Sequence, residues 1–405
     1  MRNKVALLGF YVGEQYFERF SKDDPFPQVA AYKLEGRFRD ALKIGGADVE
    51  SVASLAVSTY PRNKKIYFPG SKFVDGVGVR GRVTPLLNLP ILKLFTRFVG
   101  SLVALNQMRR RGLDKVCVYA AHTPNLLAAF IFKKIFNIPF FVYVPDLPSF
   151  MDMGMQRSSL LKFLKKIDGV IINHLISASS GLFVISKYMV EDNPSWHSKP
   201  YMVLEGISES SSAVKRADQS DCVESPAKKI IFYGGGLNRA YGIAELVEGF
   251  IQSDLDYELW LCGRGDLESF LAETTKRCSA VKYLGNITPS QVSSIQSKST
   301  LLVLTRDPKE VYTRYSFPSK LMEYMVSGVP VLTTRLDGIP DEYFDYFNVI
   351  EEFSISGISS ALQAIDGLDQ HVLLQKAACG KIWASETKSS AAVGRKIVDF
   401  MEKYS

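Results

Sequence analysis

The chain has no cysteine framework. Its five cysteines, at 117, 222, 262, 278 and 379, are odd in number, scattered and in no metal-ligand spacing. That pattern argues against disulfides or a zinc site and favours a reducing compartment. A long apolar run is also missing. The most apolar region, 86–108, is interrupted by Lys93 and Arg97, so no transmembrane span is expected. The apolar stretch after Met1-Arg-Asn-Lys4 is too short for a signal peptide and runs straight into a strand-like segment, so the expected location is cytoplasmic. There is no Gly-x-x-x-x-Gly-Lys-Ser/Thr for nucleoside triphosphate hydrolysis and no Gly-x-Ser-x-Gly hydrolase elbow.

What is present is an ordinary globular composition, 405 residues at 46% hydrophobic and 22% charged, with room for two domains. The net charge of +7 is unevenly spread: residues 1–205 carry 28 Lys/Arg against 16 Asp/Glu, a net of +12, and the remainder 21 against 26, a net of −5. A basic half fits nucleic acid, anionic lipid or an anionic substrate, and no stacking-aromatic or recognition-helix motif favours nucleic acid.

Apolar periodicity alternates between strand and helix throughout, the pattern of parallel sheets covered on both faces. Strands are expected at 5–10, 49–58, 115–120, 139–144, 181–185 and 201–204, with helices at 32–45, 86–111, 126–136 and 158–178 between them. The segment Gly13 to Pro27 reads as a loop. From 208 to 228 the composition turns to Ser, Asp, Glu, Lys and Pro, a linker. A second sheet opens with Ile230-Ile-Phe-Tyr-Gly-Gly-Gly236 and includes strands at 257–262, 281–284 and 301–304. The organisation expected is an N-terminal domain over 1–207, the linker, a C-terminal domain over 229–388 and a terminal helix at 389–405.

Ligands of open α/β sheets sit beyond the carboxyl ends of the strands, so the loops there hold the candidates. Pro318 suits a first helical turn and Gly328 its exit, which leaves Ser319 and Lys320 at the positive end of a helix. An anion is attracted there, and Glu323, about one turn on, can reach hydroxyls of a sugar attached to a phosphate. The alternative is a solvated i,i+3 pair of Lys320 with Glu323. Gly235 and Gly236 permit close backbone approach to a phosphate. Gly263, before Arg264 and Gly265, either lets a nucleotide base approach the backbone or simply makes a tight turn. His122, one of four histidines, stands at a strand end before a helix, where it is either functional or a structural hydrogen-bonder. Asp146 is placed for acceptor contact or as a turn-former between two prolines. Asp254-Leu-Asp256 has the form of a metal-binding pair but precedes its strand, at the wrong end of the sheet, so no metal site is expected.

The stretch Ser316-Phe-Pro-Ser-Lys-Leu-Met-Glu-Tyr-Met325 with Gly328-Val-Pro-Val331 resembles the signature of GT-B glycosyltransferases, in particular retaining family 4 and its bacterial capsule and O-antigen members. That family carries two glutamates eight positions apart; Glu323 matches the second, and Tyr315 stands at the first. His122-Thr-Pro-Asn125 is similar to a loop whose histidine faces the transferred sugar. The resemblance also assigns phosphate contact to Arg239 and a weaker donor-phosphate role to Gly13. It implies an α/β GT-B fold, two doubly wound Rossmann-like domains facing a central cleft, with the last helix crossing back onto the first domain.

The activity implied is metal-independent, retaining transfer of a sugar from a nucleotide sugar, UDP- or GDP-linked, with no cofactor. The acceptor expected is a polyprenyl-diphosphate-linked glycan in surface polysaccharide synthesis. A GT-B nucleotide-sugar epimerase and a non-catalytic partner subunit are the alternatives, the latter favoured by Tyr315. The basic half adds an expectation of peripheral docking on the anionic inner leaflet. In the helix at 86–111, Ile91, Leu94, Phe95, Phe98, Leu102 and Leu105 form an apolar stripe, either core or membrane-facing, and Lys93 and Arg97 are expected outside in both cases.

Overall fold

A computed structural model of the protein describes residues 3–21, 29–147, 159–208 and 229–405. The chain divides into two compact units, residues 1–207 with 390–405, and residues 208–389. Past Ser208, the expected linker lies outside the described residues.

The N-terminal unit runs β1 (Lys4–Gly9), α1 (Glu14–Ser21), α2 (Val29–Ile44), β2 (Asp48–Ala53), β3 (Tyr67–Phe68), β4 (Ser71–Val74), β5 (Arg80–Val83), β6 (Leu86–Leu87), α3 (Leu92–Arg109), β7 (Lys115–Tyr119), α4 (Thr123–Phe136), β8 (Phe140–Val144), α5 (Ser159–Ser177), β9 (Gly181–Val184), α6 (Tyr188–Glu191) and β10 (Tyr201–Val203). The C-terminal unit follows as β11 (Lys229–Gly234), α7 (Ile243–Ser253), β12 (Tyr257–Cys262), α8 (Glu268–Arg277), β13 (Val281–Tyr283), α9 (Pro289–Lys298), β14 (Leu301–Leu304), α10 (Ser319–Ser327), β15 (Val331–Thr334), β16 (Asn348–Ile350), α11 (Ile355–Asp366) and α12 (Gln370–Thr387). Helix α13 (Ser390–Lys403) then returns to the N-terminal unit.

Among the described residues the first unit is built on a sheet of order β10-β9-β8-β7-β1-β2-β5-β4, parallel except for the β4–β5 pair. The second has the order β13-β12-β11-β14-β15-β16, parallel throughout. Strands β7 and β8, Lys-Val-Cys-Val-Tyr and Phe-Phe-Val-Tyr-Val, are buried at every position, which a parallel sheet covered on both faces requires. Helices α2 and α13 cover one face: Phe38 packs on Tyr143 and Phe183, and Phe400 on Phe141 and Phe183. The other is covered by α3, α4 and α5, lying side by side, as right-handed crossovers dictate.

Four readings of the sequence are corrected. Residues 14–21 form α1 rather than loop, because Tyr16, Phe17 and Phe20 pack on one helical face and Gly13 O accepts from the N–H groups of Tyr16 and Phe17, each at 2.9 Å. The helix expected from 86 begins at 92, since Leu86 and Leu87 pair with β3. Strands β3 to β5, β16 and helix α9 were not anticipated; they are short, or, for α9, mostly polar. The fourth concerns α3. Lys93 and Arg97 are only 7% and 8% exposed, whereas Ile91 is 82% and Phe95 60% exposed. The helix is turned cations-in, on a stripe that continues through Ser101, Ala104, Leu105 and Met108. Backbone carbonyls and hydroxyls just beyond β2 accept from both buried side chains, which apolar periodicity alone does not reveal.

The crossing of α13 on α2 is backbone against backbone. A Cβ on Gly394 would run into Ala41 O, and one on Gly45 into Gly394 O. Gly394→Val is therefore expected to destabilise the N-terminal unit by at least the ~1–3 kcal/mol typical of overpacking. Thermal unfolding checks it beside Gly367→Ala, where an added Cβ meets only ordinary contacts at 3.6 Å. Equal melting temperatures for the two variants would refute the close crossing.

Candidate active site

In the C-terminal unit the candidate residues gather at the carboxyl ends of β11, β12 and β14. The loops after β11 and β12 lock together: Gly235 N donates to Cys262 O at 3.0 Å and Leu237 N to Arg264 O at 2.8 Å. Gly263 sits at φ +137°, and a Cβ there would collide with Gly235 O; one on Gly265 would meet Leu237 O. Those glycines thus have an intramolecular reason to be glycine, independent of a ligand. Helix α10 is fastened to the same point, since Gly234 N donates to the buried Tyr324 hydroxyl at 3.0 Å.

At the N-terminus of α10, Pro318 occupies the cap without a side-chain hydrogen bond, so the first N–H groups are left to solvent or ligand. Ser319 is exposed and Lys320 half-buried. Lys320 lies near Cys262, whose thiol burial pushes up to about 11 against the pull of the ammonium. Its Nζ is 2.6 Å from Glu323 Oε2, the i,i+3 pair left open by the sequence. Both groups reach solvent and are worth little to stability in that pairing, so a phosphate can compete for the ammonium. Arg239 holds its loop through its backbone N–H, 2.9 Å from Asp266 Oδ1, with its side chain in solvent.

Arg306 was missed. It stands two residues beyond β14, with its guanidinium 4.7 Å from the Tyr241 ring centroid and 5.8 Å from that of Tyr312. Burial raises the nearby Tyr233 hydroxyl, and Arg306 opposes that rise. Its place at a strand's carboxyl end was the available signal. Asp254 caps the end of α7 in the left-handed conformation at φ +51°, in the turn that leads into β12.

In the N-terminal unit His122 caps α4 after β7, following Ala120 in the left-handed region at φ +66°. Arg97 Nη1 is 3.1 Å from His122 Nε2. Arginine only donates, so Nε2 accepts and the proton of the neutral ring is on Nδ1. Burial, then the charges of Arg97 and Lys93, hold the imidazole well below its ordinary pKa. Nδ1 is buried and has no hydrogen-bond partner among the described residues. Phe10 meets the ring edge-on at 5.0 Å.

Beside this pair lies a cavity of about 350 Å³ lined by Phe10, Tyr32, Glu35, Lys93, Arg97 and Asp146 among others. Gly13 is not in its lining, and its backbone has no need of glycine, since an added Cβ would meet Phe73 no closer than 3.6 Å. The close approach falls instead at Gly9, where a Cβ would strike the Glu35 carboxyl. Glu35 in turn accepts from Phe10 N at 2.9 Å.

Residues 227–352, which contain Gly235, Gly236, Arg239, Gly263, Ser319, Lys320 and Glu323, match the family model described as glycosyl transferases group 1. No curated protein sequence matches the chain significantly. Similar solved structures include sucrose-phosphate synthase from Thermosynechococcus elongatus, at 15% identity over 99% of both chains with a TM-score of 0.64. HepE from Anabaena in complex with UDP is 13% identical over 99% of this chain and 100% of its own, with a TM-score of 0.62. The lipopolysaccharide outer core galactosyltransferase WaaB in its apo form is 13% identical over 99% of both chains, with a TM-score of 0.58. At these identities the likeness establishes the fold, which is GT-B.

Burial raises Glu35 to about 7 from an ordinary value of 4.5, outweighing the N–H groups of Tyr11 and Phe10 and the charge of Arg39. Between those two values the folded chain binds the proton more tightly than the unfolded one, so stability falls as pH rises through that window and levels off above it. Glu35→Gln removes the titration. Its melting temperature should gain on that of the wild type between pH 5 and 7, by an amount equivalent to roughly 3 kcal/mol at most. A pH-independent difference between the two proteins would refute the assignment.

Proposed function

We propose that the protein is a retaining, metal-independent glycosyltransferase that moves a sugar from a UDP- or GDP-linked donor to a polyprenyl-diphosphate-linked glycan in bacterial surface polysaccharide synthesis. The observation that carries it is the glycosyl transferases group 1 match over 227–352, which spans every donor-side candidate of the C-terminal unit. The chemistry requires a departing nucleoside diphosphate and an oxocarbenium-like sugar to be stabilised. Backbone N–H groups at the start of α10, with Lys320 and Arg306, meet the diphosphate charge. Glu323 takes the ribose and His122 the transferred sugar. The bond from the sugar's anomeric carbon to phosphate breaks, the acceptor oxygen bonds to the same face, and the acceptor proton passes to the leaving phosphate.

Incubation with UDP- and GDP-sugars and a membrane-lipid extract, with the product linkage read by NMR, tests the activity. Lys320→Ala should lower turnover by about two orders of magnitude, as for loss of one charged transition-state contact, and EDTA should leave the wild type active. Donor isomerisation without acceptor would mark an epimerase instead. Absence of any turnover with every donor would mark a partner subunit.

Peripheral membrane docking is proposed on a changed footing. No helix among the described residues is long and apolar enough to cross a membrane. Helices α3, α4 and α5, however, present exposed apolar side chains on adjoining surfaces, among them Ile91, Leu94, Phe95, Ile135, Phe163 and Val170. Ile91 holds φ +65°, a costly conformation for a β-branched residue, at 82% exposure. Arg110, Arg111, Lys134 and Lys166 are exposed on or just beyond these same helices. An apolar face rimmed by cations fits an anionic bilayer, with insertion and charge contributing together. Phe95→Ser combined with Phe163→Ser should reduce co-sedimentation with anionic vesicles at least roughly tenfold, even at a salt concentration that screens the cations. Unchanged vesicle binding by the double variant would refute docking through this face.

A further inference from the structure

Among the described residues of the N-terminal unit two guanidiniums are buried, and they are treated differently. Arg39 is matched by carboxylates, with Asp40 Oδ1 at 2.5 Å and Asp75 Oδ2 at 2.7 Å. Arg97 has none. Its Nε donates to Ser54 Oγ at 2.8 Å, Nη2 to Leu55 O at 2.6 Å and Nη1 to His122 Nε2, all neutral acceptors, and among the described residues no carboxylate forms an ion pair with it. A guanidinium has five N–H donors, so one on each Nη is left over. A buried cation without a counter-ion is strongly unfavourable unless something supplies the charge.

Arg97 lines the cavity of about 350 Å³, and so does Lys93, one turn earlier on α3. Neither acid in the same lining pairs with Arg97: Glu35 accepts from Phe10 N at 2.9 Å, and Asp146, whose carboxyl burial raises, makes no ion pair with it. The remaining wall is apolar, part aliphatic and part aromatic, with Phe10, Phe17, Tyr32 and Tyr119 among it. Aromatic walls suit the apolar face of a sugar ring, and a guanidinium with free donors on both Nη atoms suits a bidentate oxyanion.

We infer that this cavity is an acceptor subsite in which Arg97 receives an oxyanion carried by the acceptor, a phosphate or a carboxylate. This rests on the N-terminal unit being the acceptor side of a transferase. The anion supplies the missing counter-charge, so an acceptor lacking it binds weakly, and the subsite selects acidic or phosphorylated acceptors over neutral ones. Because Arg97 also holds Nε2 of His122, occupancy is felt at the imidazole.

That coupling provides a local probe. The imidazole resonances of the full-length protein are followed by NMR, His122 being assigned through His122→Asn, while inorganic phosphate, glucuronate or glucose is added. One or both anions should shift the His122 signal saturably and glucose should not; phosphate alone identifies a phosphorylated acceptor, glucuronate alone an acidic sugar. Lys320→Ala should keep the shift, which separates this subsite from phosphate binding at α10. Arg97→Gln should weaken the anion at least roughly tenfold, as expected on losing a charge-assisted bidentate partner, with an unchanged melting temperature as the check of folding. A shift without any UDP or GDP binding in the wild type would sink the donor assignment and leave the subsite standing. Silence of His122 toward both anions in the wild type, an equal response to glucose, or an undiminished shift in a folded Arg97→Gln protein overturns the inference.

Discussion

The arrangement of the N-terminal unit depends on the burial of two cations beneath α3. Lys93 reaches Val57 O and, at 3.1 Å, Thr59 Oγ1, and Arg97 reaches Ser54 and Leu55, so the helix is pinned to the segment just beyond β2 by polar contacts. One rotational setting satisfies both side chains, because they are four residues apart and share a face. Everything on the opposite side of the helix follows: with the cations inward, Ile91, Leu94, Phe95, Val99 and Val103 have nowhere to go but out. The same setting brings a guanidinium to His122 and fixes its tautomer. An apolar exterior and a charged interior on one helix are thus a single choice, and its cost falls on a site where a ligand can offset it.

The C-terminal unit is governed by backbone proximity instead. Gly263 and Gly265 let the β12 loop lie directly on the backbone of Gly235 and Leu237, and Tyr324 ties α10 to Gly234. Two neighbouring strand ends and helix α10 are thereby fixed with almost no side-chain chemistry. What remains exposed at their tips is backbone N–H at α10 and a few cations, Lys320 and Arg306 among them. Such a surface meets an anion without reorganising, as the proposed stabilisation of a leaving diphosphate demands.

Much of this was legible in the sequence, and for identifiable reasons. Buried parallel strands such as Phe140-Phe-Val-Tyr-Val144 announce themselves by composition, and Pro318 with Gly328 bounded α10 closely. The paired short strands between 67 and 87 were not legible, because two- and four-residue ladders carry too little periodicity to separate from loop. The orientation of α3 was read the wrong way round. Apolar spacing identified a stripe, but which stripe faces inward was decided by acceptors at Ser54, Leu55 and Val57, some forty residues earlier in the chain, and no local window contains that information. Glu35 escaped notice for the same reason: its role comes from meeting the backbone at Gly9 and Phe10, across the βα unit.

Sucrose-phosphate synthase, HepE and WaaB share nearly the full length of this chain at 13–15% identity. What the likeness establishes at that distance is the fold. A fold does not distinguish one acceptor from another, so substrate choice has to be carried by side chains that the fold itself does not require. Arg97 is such a residue. The sheet and its covering helices ask of position 97 only that it be satisfied at Ser54 and Leu55, a demand a smaller donor or a packed apolar side chain could meet or remove at less cost than a buried charge. Retaining a guanidinium there, when Arg39 in the same unit has been given two carboxylates, is therefore explained by what enters the cavity rather than by what surrounds it.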